Sequence, residues 1–254
     1  MLARLSTTAP QIDLEAAVAA ATPKPLAPTL TDAQRAAAQR WYAAPRSALI
    51  VAKFNVDLRG ADIATLRPRA WVNDEIINFY GQLIMDRAKQ HPDAYPSCLF
   101  FNTFFYPTLI ERGYAGVRRW GKRAGGVFQR DLVLVPVHLG VHWTAAVVDF
   151  RRQEVAYYDS MLGDNPALFD ALRTYLDAEH RSDKGTPMDW TGWRFVAPRP
   201  IPVQHNGYDC GVYATQFLEY RARDAPRFDF SDETIPAVRE RMVYEIATGE
   251  LLAA

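Results

Sequence analysis

Two runs in the middle of the chain, Leu132-Val133-Leu134-Val135-Pro136-Val137-His138 and Trp143-Thr144-Ala145-Ala146-Val147-Val148-Asp149-Phe150, have almost no break in their β-rich, apolar character. A strand with one face in water alternates apolar and polar residues. A run without that alternation belongs to a strand covered on both faces. A third run, Glu154 to Tyr158, follows the second after the short Arg151-Arg152-Gln153 segment, which predicts a hairpin. The chain must therefore build a central sheet and supply helices to cover it.

The helices are legible on either side. Thr31-Asp32 caps a segment from Ala33 to Tyr42. Ile76, Ile77, Tyr80, Leu83 and Ile84 form one stripe at helical spacing within Trp71 to Ala88, with Asn73 or Asp74 near its start. Asn165 and Pro166 open a helix running to Ala178, Gly211 to Arg221 forms another, and a last one lies within Phe228 to Ala247, starting near Ser231 or Pro236. Shorter expectations are a strand over Leu49 to Val56, one helical turn over Asp62 to Leu66, a partly helical stretch from Ile110 to Trp120 and a strand at Trp193 to Val196. Residues 1–29, rich in Ala, Thr and Pro, read as a linker or pendant arm with a short helix over Asp13 to Ala21, which leaves 30–254 as a single domain. The class expected is α+β.

Composition narrows the function. Lys+Arg and Asp+Glu balance at 29 each, which speaks against a general nucleic-acid or anionic-membrane binder. Two cysteines do not make a disulfide scaffold and suit a reducing compartment. No apolar run approaches the roughly 20 residues of a membrane span, and the N-terminus lacks the apolar core of a secretory signal. Cys98 and Cys210, far apart and without paired histidines, match no zinc site, so neither metal nor cofactor is expected.

Chemistry concentrates in Gln204-His205-Asn206-Gly207-Tyr208-Asp209-Cys210-Gly211. Cys210 stands directly before a helical apolar run, where the positive end of the backbone dipole favours the thiolate. Gln204 supplies an amide for a developing oxyanion. A thiol nucleophile needs a base and a group to orient it. His142 precedes one strand of the expected hairpin and Asp159 ends the other, so both fall at its open end. Each residue alone has a plain structural explanation: a buried thiol, polar packing, a turn aspartate. Their joint occurrence points to a nucleophilic site. Cys98, beside Leu99, Phe100 and Phe101, reads as core; His138 sits within a β run, and His91 and His180 follow helices. His205 neighbours the nucleophile, but no acid is evidently placed to orient it.

Six segments in this order resemble the ubiquitin-like-protein-specific cysteine proteases that process and remove SUMO: Trp71 through Ile77, Phe101 through Tyr106, Glu111 through Trp120, His142-Trp143, Tyr158-Asp159-Ser160 and Gln204 through Gly211. The resemblance implies a papain-like cysteine protease fold of the ubiquitin-like-protein protease type, a central mixed sheet flanked by helices. It implies His142 as base, Asp159 as its orienting acid, Cys210 as nucleophile and Gln204 as oxyanion donor. Trp71 and Trp143 would cover a narrow tunnel for the modifier's Gly-Gly tail, and Asp74 would meet a basic residue on SUMO. Trp120, Trp190 and Trp193 keep the reading of core filler. The implied partners are SUMO and SUMO-conjugated proteins, with a monomeric enzyme at the nucleus or nuclear periphery, or in a host cell if the protein is a secreted effector. Larger members carry long N-terminal regions, whereas this chain has a short arm. Rival readings are a protease for another ubiquitin-like modifier, a bacterial effector imitating a host enzyme, an acyltransferase on the same fold, and a silent SUMO-binding module.

Overall fold

The structure, a computed structural model, describes residues 26–253. The short helix expected over Asp13 to Ala21 lies outside the described residues. From the N-terminal side, residues 26–30 lie along the body: the Leu26 N–H donates to Asp229 Oδ2 at 2.6 Å and its carbonyl accepts from Arg223 at 2.8 Å. Helix α1 (Asp32–Tyr42) begins at a capping box, in which Thr31 Oγ1 accepts from the Gln34 N–H and Gln34 Oε1 from the Thr31 N–H.

The single strand expected over Leu49 to Val56 is instead a hairpin, β1 (Leu49–Lys53) and β2 (Val56–Arg59). Phe54 and Asn55 both have φ of 59° and make the turn with left-handed backbone. That geometry usually announces itself through Gly, and no Gly is present to give the signal. A helical turn at Gly60–Ile63 and a 3₁₀ turn at Ala64–Leu66 lead to Trp71 and Val72, which belong to neither helix nor strand. Asn73 then caps α2 (Asp74–Gln90) by accepting from the Ile76 N–H at 3.1 Å.

The main sheet follows: β3 (Cys98–Phe100), α3 (Phe105–Arg123), β4 (Leu132–His138), β5 (Trp143–Asp149), β6 (Glu154–Tyr158), α4 (Pro166–Lys184) and β7 (Arg194–Val196). The strands lie in sequence order; β4, β5 and β6 pair antiparallel, while both edge strands pair parallel, giving a mixed sheet. Helix α3 runs past Gly113 and Gly116, kinking at Gly113, and so exceeds the partly helical stretch expected. Helix α4 likewise continues beyond Ala178 to a left-handed Gly185. Helices α5 (Cys210–Ala222) and α6 (Ile235–Thr248) complete the chain.

Alternate strand residues feed two cores. Leu132, Leu134, Ala145, Val147, Ala156 and Tyr158 pack with α2, α5 and α6 on one face. Val133, Val135, Ala146, Val148, Val155 and Tyr157 pack with α3 and α4 on the other. Both faces are dry, which is why the strand sequences do not alternate. Burial of each such aliphatic side chain contributes about 1.5–3 kcal/mol. The β5–β6 turn is fixed by Asp149, fully buried, which accepts from the Arg151 and Arg152 N–H groups at 3.1 Å each. This sets the register Ala145↔Tyr158 through Asp149↔Glu154 and with it the open end of the hairpin.

Candidate active site

The open end of the β5–β6 hairpin brings His142 and Asp159 together, as the hairpin argument requires. The His142 Nε2–H donates to Asp159 Oδ1 at 2.7 Å, with the two side chains only 16% and 6% exposed. The same carboxylate oxygen accepts from the Met161 N–H at 2.8 Å. Burial pushes the Asp159 carboxyl up, but the bond from His142 and the Met161 and Gly163 N–H groups outweigh it and hold the acid below its usual range. Because Nε2 is committed to Asp159, the tautomer is set and Nδ1 is the ring nitrogen left for chemistry; it is buried and has no other hydrogen-bond partner.

Cys210 is the first residue of α5 and is buried beside that ring. The N–H groups of Cys210, Gly211 and Val212 precede the first intrahelical bond, from Tyr213 N to Asp209 O at 3.0 Å, so the helix itself leaves them free. Burial alone would raise the thiol. The neighbouring His142 ring and the Trp143 and Gly211 backbone groups reverse that and hold it below the ordinary thiol value. The imidazole responds in the complementary direction: the hydrogen bond to Asp159, and then the neighbouring Cys210, raise it to about 9 against the opposing effect of burial. A lowered thiol beside a raised imidazole favours the thiolate–imidazolium form of the pair. Cys98 has no such support, and burial pushes it up to about 11.

Gln204 is held from both ends of its amide. The Ser160 hydroxyl donates to Oε1 at 2.6 Å and Nε2 donates to the Asn206 carbonyl at 2.6 Å, which fixes the amide orientation. One Nε2 hydrogen remains. The Gln204 N–H also donates to Ser160 O at 2.9 Å, tying the loop before the nucleophile to the residue after Asp159.

Trp71 is 59% exposed, and Trp143 is half-buried and stacked on His138, with ring centroids 4.2 Å apart. The segments they belong to meet over the nucleophile: a Cβ placed on Gly211 would lie 3.1 Å from Val72 Cβ and 3.3 Å from Trp143 Cδ1. Gly211, beside the nucleophile, is therefore packed closely between Val72 and Trp143. Asp74, the first residue of α2, is partly exposed and has no ion-pair partner among the described residues. Trp120, Trp190 and Trp193 pack against the core on the α3–α4 face.

One expectation is corrected. His205 does have an acid: Asp232 accepts from its Nδ1 at 2.7 Å and from its N–H at 3.1 Å, a pairing between residues 27 apart that local spacing does not reveal. The His205 side chain is 78% exposed and is absent from the groups that act on the Cys210 thiol.

Sequence reasoning also passed over Arg239. This guanidinium, 2% exposed, donates through Nε and Nη2 to Asp209 Oδ1 at 2.9 and 2.6 Å, and through Nη2 to the Ala70 and Tyr208 carbonyls at 3.0 and 3.2 Å. One buried cation therefore joins the residue before Trp71 to the residue before Cys210. A buried Arg reads in sequence like any surface Arg of an amphipathic helix, so no local signal was available.

Among the described residues no group of three or more His, Cys, Asp or Glu side chains is placed to hold a metal, and no helix is long and apolar enough to cross a membrane. A family model described as the Ulp1 protease family, C-terminal catalytic domain, matches residues 70–251. A sentrin-specific protease of Caenorhabditis elegans is 44% identical over 226 residues, covering 88% of this chain and 32% of that protein. Sentrin-specific protease 2 of Mus musculus is 37% identical over 210 residues, covering 82% and 35%. The chain thus spans about a third of the length of these curated relatives. The solved C-terminal Ulp1 protease domain in complex with Smt3, the yeast ortholog of SUMO, superposes with a TM-score of 0.76 at 31% identity, covering 88% of this chain and 98% of that one. The Ulp1-like SUMO protease catalytic domain of Chaetomium thermophilum shares the fold, with a TM-score of 0.77 at 24% identity over 91% and 94% of the two chains.

Proposed function

This chain belongs to the Ulp1 protease family, and we propose that it is a cysteine protease that cleaves after the C-terminal Gly-Gly of SUMO, maturing precursors and releasing SUMO from target lysines. The observation that carries this reading is the arrangement around His142: Nε2 held by Asp159 at 2.7 Å, Nδ1 left for Cys210. The relatives named above, and the solved Ulp1 domain bound to Smt3, support SUMO as the modifier.

In the reaction the Cys210 thiolate attacks the carbonyl carbon of the terminal Gly. The oxyanion that forms is held by the remaining Nε2–H of Gln204 and the Cys210 N–H, which the helix leaves free. The imidazolium Nδ1–H of His142 protonates the departing lysine or peptide amine, and the C–N bond breaks to leave a thioester. Water, deprotonated by the now neutral imidazole, attacks the thioester and returns the thiolate and imidazolium. Trp71 and Trp143, as the covers of the tail, select the substrate by exclusion, since residues without side chains pass where larger ones collide.

Incubation with a SUMO precursor tests the reading. The wild-type protein should trim it to the Gly-Gly terminus, and Cys210→Ala should leave it intact. An uncut precursor with wild type, or trimming that survives Cys210→Ala, would overturn the assignment.

A further inference from the structure

Four of the large apolar side chains left exposed among the described residues stand in the two loops that carry the base and its acid. Leu139 and Val141, 40% and 72% exposed, precede His142; Met161 and Leu162, 50% and 43% exposed, follow Asp159. Neither loop is loose. The first is a two-residue turn closed by the Leu139 N–H on the His142 carbonyl at 2.8 Å, with Gly140 at φ 85° in the central position that needs a left-handed residue. The second is closed by the Leu162 N–H on the Asp159 carbonyl at 2.9 Å. The His142–Asp159 bond clamps the two together. Four aliphatic side chains are thus held in water on a rigid rim, and exposed apolar groups gathered in this way mark a contact surface.

The chemistry indicates which part of the substrate that surface meets. The modifier's tail must bring its terminal carbonyl to Cys210, at the N-terminus of α5. The leaving amine must lie within hydrogen-bond reach of His142 Nδ1, so the chain attached to that amine departs beside the loops that flank His142 and Asp159. None of the four lip residues carries charge. The nearest ion pair at the end of the second loop, Arg199 with Asp164, is a loose contact at 3.9 Å.

We propose that Leu139, Val141, Met161 and Leu162 form an apolar lip that receives aliphatic side chains flanking the modified lysine of the target protein. The lip is continuous with the catalytic centre and makes cleavage depend on the target as well as on the modifier. This inference rests on the protease reading above.

The test uses the wild-type protein and the double variant Val141→Ser/Leu162→Ser, with three SUMO substrates. Two are isopeptides to a lysine flanked by Leu and Val, or by Ser and Thr, in otherwise identical peptides. The third is a C-terminal coumarin amide with no flanking chain. Wild type should prefer the aliphatic isopeptide by about tenfold in kcat/KM, as expected for one aliphatic side chain leaving water. The double variant should lose that preference and hydrolyse the coumarin amide at the wild-type rate. Equal rates for the two isopeptides with wild type, or an undiminished preference in the variant, would overturn the lip while coumarin hydrolysis upholds the protease reading. Failure of wild type on the coumarin amide would overturn both.

Discussion

Arg239 and Asp209 form a buried ion pair in which one carboxylate oxygen accepts two N–H groups of the same guanidinium, at 2.9 and 2.6 Å, one residue before the proposed nucleophile. Arg239→Met should remove about 3–5 kcal/mol of unfolding free energy, because Asp209 is left buried without its counter-charge; urea denaturation reads this directly. Arg239→Lys keeps the charge but not the fork. It should recover part of the stability yet lower kcat/KM about tenfold, since the loops before Trp71 and Cys210 lose their shared tie.

The thiolate–imidazolium pair fixes the pH dependence. The lower limb of kcat/KM arises as pH falls through the lowered Cys210 value and the thiolate takes up a proton. The upper limb lies at about 9, where His142 loses the proton it must deliver. Asp159→Asn removes the first of the influences that raise His142, so the upper limb should move to lower pH. The rate should fall on the order of a thousandfold as the ring loses its fixed tautomer. An upper limb that stays in place would show that Asp159 does not set the imidazole.

Gly211→Ala separates helix propensity from site geometry. In an ordinary helix position Ala is about 1 kcal/mol better than Gly. Here its Cβ would press on Val72 and Trp143 at 3.1 and 3.3 Å. Turnover of SUMO substrates should fall at least tenfold, with thermal stability unchanged or lower, as measured by steady-state kinetics and calorimetry. A stabilised variant with full activity would mean that this packing has slack.

Asp74→Lys probes the modifier contact. The change also places a cation at the start of α2, which costs roughly 0.3–1 kcal/mol through the helix dipole. If Asp74 meets a basic residue of SUMO, the dissociation constant for SUMO should rise well beyond what Asp74→Asn produces, and high salt should narrow the gap. Equal affinities for the two variants would leave Asp74 as a helix-start residue.

The catalytic hairpin was legible because it is local. His142, Asp159 and the short turn between their strands lie within eighteen consecutive residues, and the unbroken apolar runs identify a sheet dry on both faces. Cys210 and Gln204 were legible through a helix start and the amide before it. What escaped depended on contacts across the fold or on turns without their usual residue. Arg239 reaches Asp209 across 30 positions and Ala70 across 169. Asp232 reaches His205 from the segment before α6. The Phe54-Asn55 turn takes left-handed backbone without Gly, and α3 resumes after a non-helical Gly113, with Phe105 and Leu109 before the break and Val117 after it buried in the core.

The central claim is that Cys210 is a thiolate nucleophile poised for a modifier ending in Gly-Gly. A SUMO derivative with an electrophile in place of its terminal carboxylate, incubated with the protein and followed by peptide mapping in a mass spectrometer, tests it most directly. One covalent adduct should form, on Cys210 and not on Cys98, rapidly at neutral pH, and Cys210→Ala should abolish it. No adduct with wild type, or one carried by Cys98, would contradict it.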